Sequence, residues 1–258
     1  MSECRRKRSE CRSKSRGDLY FCILTSAFLL CLFVFPALLL AQESTPVDIT
    51  SDPHYHLLLE NEKVRVFDVT VGPHQSTPLV RHEHNFLVIT PDDSEIASWA
   101  EGQAGVITYR YNRNDIRFFY GGPARALRND TPNEYHNLTV EFLNPKVTTY
   151  GYQADAGRWE YGSSALPPPV DSQAAFSDVM PLGEAKVRDV QLLPDDPYPA
   201  PETETDELFI PLTDIELKTA DERIRKSPGE LLWIAAGRKK KLINNAATPV
   251  RIVVLELH

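Results

Sequence analysis

The sequence predicts an all-β protein: one strand-rich unit, of sandwich or barrel type, present twice in tandem behind a hydrophobic N-terminal export segment. Three observations carry this. Leu19–Ala41 runs 23 residues without a charge. From residue 54 onward apolar and polar residues alternate with period two, in short runs bounded by Pro, Gly, Asn and Asp. The later part of that stretch then repeats the earlier part in order.

The N-terminal segment comes first. Residues 1–18 are basic and polar, and about 20 apolar residues suffice to cross a bilayer, so residues 19–41 are long enough for an anchor. A basic start, an apolar core and a small residue before a polar stretch also describe a secretory signal. Pro36, and Ala41 before Gln42-Glu43-Ser44, favour cleavage after Ala41; Leu39 at the −3 position fits the small-x-small rule poorly. As signal peptide or signal anchor, residues 1–41 place the rest across a membrane. The protein is then periplasmic or secreted, or held at a membrane through residues 19–41 alone.

Charge and cysteine usage divide at the same point. Seven of the 28 basic and three of the 36 acidic residues fall within 1–41, a net of +4, which leaves −12 on the remainder. An acidic body argues against nucleic acid, whose phosphates demand a basic footprint. Cys4, Cys11, Cys22 and Cys31 are all N-terminal. The body therefore has no disulfide scaffold, thiol nucleophile or Cys-ligated metal.

Within the body, Val64–Val71, Phe86–Ile89, Thr139–Phe142 and Arg251–Leu255 alternate as strands do. The only helix-like stretch is a turn near Thr219–Arg225. Leu166-Pro-Pro-Pro169 and the small polar residues after it mark a linker over 151–178, between halves at 47–150 and 179–258. A shift of 121 residues superposes Asp68 on Asp189, Pro73 on Pro194, Leu87 on Leu208, Ile89 on Ile210 and Glu95 on Glu216. A shift of 115 superposes Phe118 on Trp233, Gly122 on Gly237, Leu127 on Leu242, Asn129 on Asn244 and Glu141 on Glu256. The six-residue change predicts a shorter middle loop in the second half.

Glu60-Asn-Glu-Lys-Val-Arg-Val66 leads into a Gly72-Pro73 turn, followed by His82-Glu83-His84, a variable loop and Gly122-x6-Asn129. These motifs resemble those of the cupin superfamily: Gly, His-x-His and a following Glu, then Gly-x2-His-x3-Asn. The resemblance spans about residues 54–258. It implies two cupin-like antiparallel β-barrels (double-stranded β-helix, jelly-roll type), a bicupin. It says little about activity, because cupins host dioxygenases, isomerases, decarboxylases, storage proteins and sugar-binding regulators.

The resemblance implies a metal site, which the residues only partly fill. Residues two apart in a strand point the same way, so His82 and His84 would face inward together and can hold a divalent metal such as Zn, Fe, Mn or Ni. The cupin carboxylate position falls on Val88 or Ile89, and the third histidine position on Arg125, a guanidinium that cannot ligate. His74, in the turn at the barrel mouth, and His136, on the face of Leu138, Val140 and Phe142, are candidates to complete an open three-ligand site. In the second half His82, His84, Val88 and Arg125 map onto Thr203, Thr205, Phe209 and Lys240, so no metal is expected there. His54 and His56 read as strand-edge surface.

A second inference needs no metal. An inward Arg125 or Lys240 must meet an anion, since an unpaired buried charge is costly. That implies a small ligand bearing carboxylate or phosphate, or else an internal acid such as Glu207 beside Lys240. Hydrolase elbows, phosphate-binding Gly loops and dinucleotide fingerprints are absent. Asn129-Asp-Thr131 and Asn137-Leu-Thr139 match the glycosylation sequon. Three functions follow: a small-molecule binding module, a metal-dependent enzyme confined to the first barrel, or a structural bicupin pairing as a homodimer through strand edges.

Overall fold

Period-two alternation makes strands here, but the central strands of the larger sheets have little or no wet face. Val64–Val71 is buried at five of its eight positions, and Phe86–Thr90 at all five. Such strands lie between two interiors. The computed structural model describes residues 45–146, 158–159, 175–199, 204–237 and 241–258. The expected export segment, most of the expected linker, Thr203 and Lys240 lie outside the described residues.

The first half comprises β1 (Val47–Asp48), β2 (Tyr55–Glu60), β3 (Val64–Val71), β4 (Val80–Arg81), β5 (Phe86–Thr90), β6 (Ser94–Ala100), β7 (Ile107–Tyr111), β8 (Asp115–Phe119), β9 (Arg125–Arg128) and β10 (Tyr135–Phe142). Then come β11 (Arg158–Trp159), β12 (Ala175–Pro181), β13 (Ala185–Leu192), β14 (Asp206–Pro211), β15 (Ile215–Lys218), β16 (Arg223–Lys226), β17 (Leu232–Ile234), β18 (Ile243–Asn244) and β19 (Val250–Leu257). One 3-10 turn, Ile49–Ser51, is the only helical element among the described residues.

The sheets run β1-β4-β9-β6-β7 and β11-β8-β5-β10-β3-β2 in the first half. In the second they run β12-β13-β19-β14-β17 and β16-β15-β18. The two halves are one pattern. β2 and β12 pair with β3 and β13 at corresponding positions, and both carry a bulge at corresponding places, between Leu57 and Leu59 and between Asp178 and Met180. The isolated bridge Ser76–Arg128 reappears as Pro197–Ile243. Glu95 pairs with Arg110 across one hairpin, and Glu216 with Arg225 across the other, each at 2.7 Å. The intervening chain is 14 residues in the first hairpin and eight in the second, which is the six-residue change of shift.

Two expectations need correction. Thr219–Arg225 is no helical turn. It closes the β15–β16 hairpin, where Thr219 Oγ1 accepts the backbone N–H groups of Asp221 and Glu222. β12 starts at Ala175, inside the expected linker; it ends its sheet, and its apolar residues Phe176, Val179 and Met180 do not alternate strictly with polar ones.

Four apolar clusters result among the described residues, one of them Ile49, Tyr55, Phe67, Val69 and Val80 beside β1 and β4. Val71, Phe86, Val88, Ile96 and Tyr135 fill the first barrel. Val190, Leu192, Phe209, Leu217 and Ile252 fill the second. The fourth lies between the barrels, where Leu87, Phe118, Val140 and Phe142 pack with Val187, Leu208, Val253 and Leu255. Lys63 Nζ crosses this seam, 2.9 Å from Asp206 and donating to the Leu257 carbonyl at 2.9 Å.

Candidate functional site

The site is built on the loop 82–85 between β4 and β5. Gly122 N–H donates to the His82 carbonyl at 2.8 Å, Gly121 N–H to Asn85 Oδ1 at 3.1 Å, and Arg81 Nη1 to the Gly122 carbonyl at 3.0 Å. A Cβ at Gly121 would lie 2.5 Å from the His84 carbonyl oxygen, so only glycine allows this approach.

That latch holds His82 against the interior of the first barrel. Its ring is buried, stacked on Phe86 with centroids 4.0 Å apart, with Tyr55 edge-on at 5.9 Å. Nδ1 lies 2.9 Å from Glu141 Oε1, and Arg65 Nη2 lies 2.8 Å from Glu141 Oε2. An ionised carboxylate only accepts, so Nδ1–H is the donor of this bond.

His82 borders a cavity of about 50 Å³. Tyr55, Tyr109, Tyr111 and Tyr135 supply phenols to its wall, and Ser98, Asn137, Thr139 and Arg125 the remaining polar groups. Phe86, Val88, Ile96, Phe119 and Leu127 complete it. No lining residue is Asp or Glu. Burial pushes the phenols of Tyr55, Tyr111 and Tyr135 above their ordinary range, so they stay protonated and able to donate. Arg125, the first residue of β9, holds its guanidinium 5.7 Å from the centre of the Phe119 ring. Behind the wall, Arg117 lies over Tyr111 at 4.1 Å and pairs with Asp115 at 3.2 Å.

The other histidines do not gather here. His84 sits in the loop rather than in a strand, so no alternation turns it inward with His82, and it is not part of the cavity wall. His74 is exposed in the turn after β3, at φ 58°. His136 bonds Asp68 at 2.6 Å on the face of β10 opposite Tyr135, Asn137 and Thr139. Leu138, Val140 and Phe142, on the His136 face, pack toward the second barrel. Both faces of β10 are apolar enough to be buried, so hydrophobicity alone selects the wrong one.

The donor set of a metal centre is therefore not assembled. No three His, Cys, Asp or Glu side chains converge among the described residues. Of the positions that the cupin resemblance makes ligands, His82 alone is both ligating and on the cavity. Val88 and Arg125 occupy two others, and the residues do not fit the group. In the second barrel Thr205 and Phe209 are buried, and Glu207 accepts from the Tyr198 hydroxyl. Arg188 Nη1 donates to Glu256 Oε1 at 2.6 Å.

The cavity wall was mostly hidden in the sequence. Its tyrosines are scattered over β2, β7 and β10; wall residues alternate within a strand, as in Tyr109-x-Tyr111 and Tyr135-x-Asn137-x-Thr139, but nothing in the sequence joins one strand's set to the next. The two sequon asparagines are buried. Asn129 Nδ2 donates to the carbonyls of Val71 and Asn133, and Asn137 Oδ1 accepts from Thr139 Oγ1, so neither presents itself to a glycan.

The sequence matches no protein-family model and no curated protein. The fold has close parallels among solved structures. The putative glyoxylate-induced protein from Pseudomonas aeruginosa is similar at TM-score 0.56 and 12% identity, over 80% of this chain and 82% of that one. A variant of salicylate 1,2-dioxygenase from Pseudoaminobacter salicylatoxidans, in complex with gentisate, is similar at 0.52 and 14%, over 86% and 79%. A cupin 2 conserved barrel domain protein from Leptotrichia buccalis is similar at 0.51 and 8%, over 87% and 94%. With its strand order, its twofold repetition of barrels and these likenesses, the chain has the fold of the cupin superfamily.

Proposed function

We propose that the first barrel binds a small carboxylate-bearing molecule, that Arg125 is the cation that holds it, and that residues 1–41 deliver this binding module across a membrane. The carrying observation is the composition of the cavity wall: a guanidinium, an imidazole, phenols and hydroxyls, with no acidic side chain. Such a wall donates hydrogen bonds and repels no anion. A guanidinium can grip a carboxylate with two parallel bonds. A cavity of about 50 Å³ holds roughly three to five water-sized groups, so a carboxylate and one or two carbons fit. The gentisate-bound dioxygenase of the same fold supports small-molecule binding in such a barrel. A metal-dependent reaction in this barrel finds only His82 of its ligand set.

Titration calorimetry of the full chain against formate, acetate, pyruvate and inorganic phosphate tests the reading. A carboxylate binds, and Arg125→Gln weakens it about 10- to 100-fold, the value of a charge-assisted bidentate contact. Arg125→Lys recovers part of the loss, and prior treatment with a chelator changes nothing. Equal affinity of wild type and Arg125→Gln, or binding lost with the chelator, overturns the reading.

A further inference from the structure

Residues 54–62 read His-Tyr-His-Leu-Leu-Leu-Glu-Asn-Glu, with His on one side of Leu58 and Glu at the mirrored places on the other. β2 carries the centre of this run and ends its six-stranded sheet, with no described strand beyond it. Of the three exposed large hydrophobics among the described residues, two are Leu57 and Leu58, at 39% and 38% exposure. The bulge leaves Leu58 without an opposite number on β3. An apolar strand edge of this kind is a template for another strand.

The polar residues on either side of the leucines indicate which strand. His56 lies opposite Asp68 on β3, but Asp68 is bonded to His136. Glu60 lies opposite Arg65, but Arg65 is bonded to Glu141. His56 and Glu60 are both exposed, and neither side chain makes a hydrogen bond or ion pair among the described residues. Antiparallel pairing with a second copy about a twofold axis at Leu58 sets Leu57 against Leu59 and His56 against Glu60. His54, whose ring is held by Asp52 at 2.7 Å, flanks Glu62 in the same sense. An imidazole N–H directly facing a carboxylate can donate a hydrogen bond to it, and an edge that matches itself gives a closed twofold contact.

We propose that β2 is the edge at which two copies of this chain join, in the register centred on Leu58, making one continuous sheet from their two six-stranded sheets. The contact is small and exchanging, with a dissociation constant on the order of micromolar. Sedimentation equilibrium of the purified full chain is expected to give a concentration-dependent dimer. Leu58→Lys weakens it at least about tenfold, because two ammonium groups meet on the axis. His56→Glu weakens it by setting Glu against Glu, and His56→Glu/Glu60→His restores it by exchanging the partners. Unfolding midpoints of these surface variants stay at the wild-type value. A monomer up to about 100 μM, well above a micromolar constant, overturns the proposal and means that the edge is covered by the chain's own residues or left bare. A dimer indifferent to Leu58→Lys, or a double exchange that fails to rescue, also overturns it.

Discussion

Asn129 and Asn244 perform the same task in the two halves. Each is fully buried, and each donates two side-chain bonds to main-chain carbonyls, Val71 and Asn133 in one case, Leu192 and Thr248 in the other. Each also accepts a backbone N–H two residues on. Asn129→Ala and Asn244→Ala are each expected to cost about 2–4 kcal/mol in urea unfolding, since two buried carbonyls lose their donors. The costs should agree within about 1 kcal/mol. This asparagine was legible in the sequence because it recurs at matching positions of the two halves. The histidines were less legible. His82 reaches the cavity through a loop held from outside by Gly121 and Gly122. His84, two residues on, misses it because a loop has no period.

At the scale of elements, the determining feature is that a strand can bury both faces. β10 alternates Tyr135, Asn137 and Thr139 toward the cavity with Leu138, Val140 and Phe142 toward the second barrel. Periodicity located the strand and its alternation but could not tell a barrel interior from an interface, because both remove apolar surface from water. The repetition of the unit and the shortened hairpin were readable, since both follow from matching positions in the two halves. The latch between loop 82–85 and residues 121–122 could be read only as a Gly-Gly pair. Gly121→Ala is expected to push the loop off this turn, lowering stability by about 1–3 kcal/mol. The same substitution should shift the imidazole resonances of His82 in NMR spectra while leaving those of His136 in place.

At the scale of the molecule, the two barrels share one core and one polar tie. Burial raises the pKa of Asp206, but the bonds from Lys63 and the Ala236 backbone N–H outweigh it and hold the carboxyl below its ordinary range. The stability contributed by a depressed carboxyl is present above its unfolded value and disappears as pH falls through its folded value. The unfolding midpoint should therefore decline as pH drops below about 4. Asp206→Asn should lower the midpoint at neutral pH and flatten this part of the decline, followed by circular dichroism. The shared core also bears on how the chain is made. Synthesis proceeds from the N-terminus, so the outer face formed by Leu87, Phe118, Val140 and Phe142 is complete while its cover, which ends at Leu257, is still unmade. At 5–20 residues per second that interval is on the order of ten seconds. For that time the finished first barrel turns a wide apolar sheet toward water, and it must be shielded from its neighbours until the second barrel arrives.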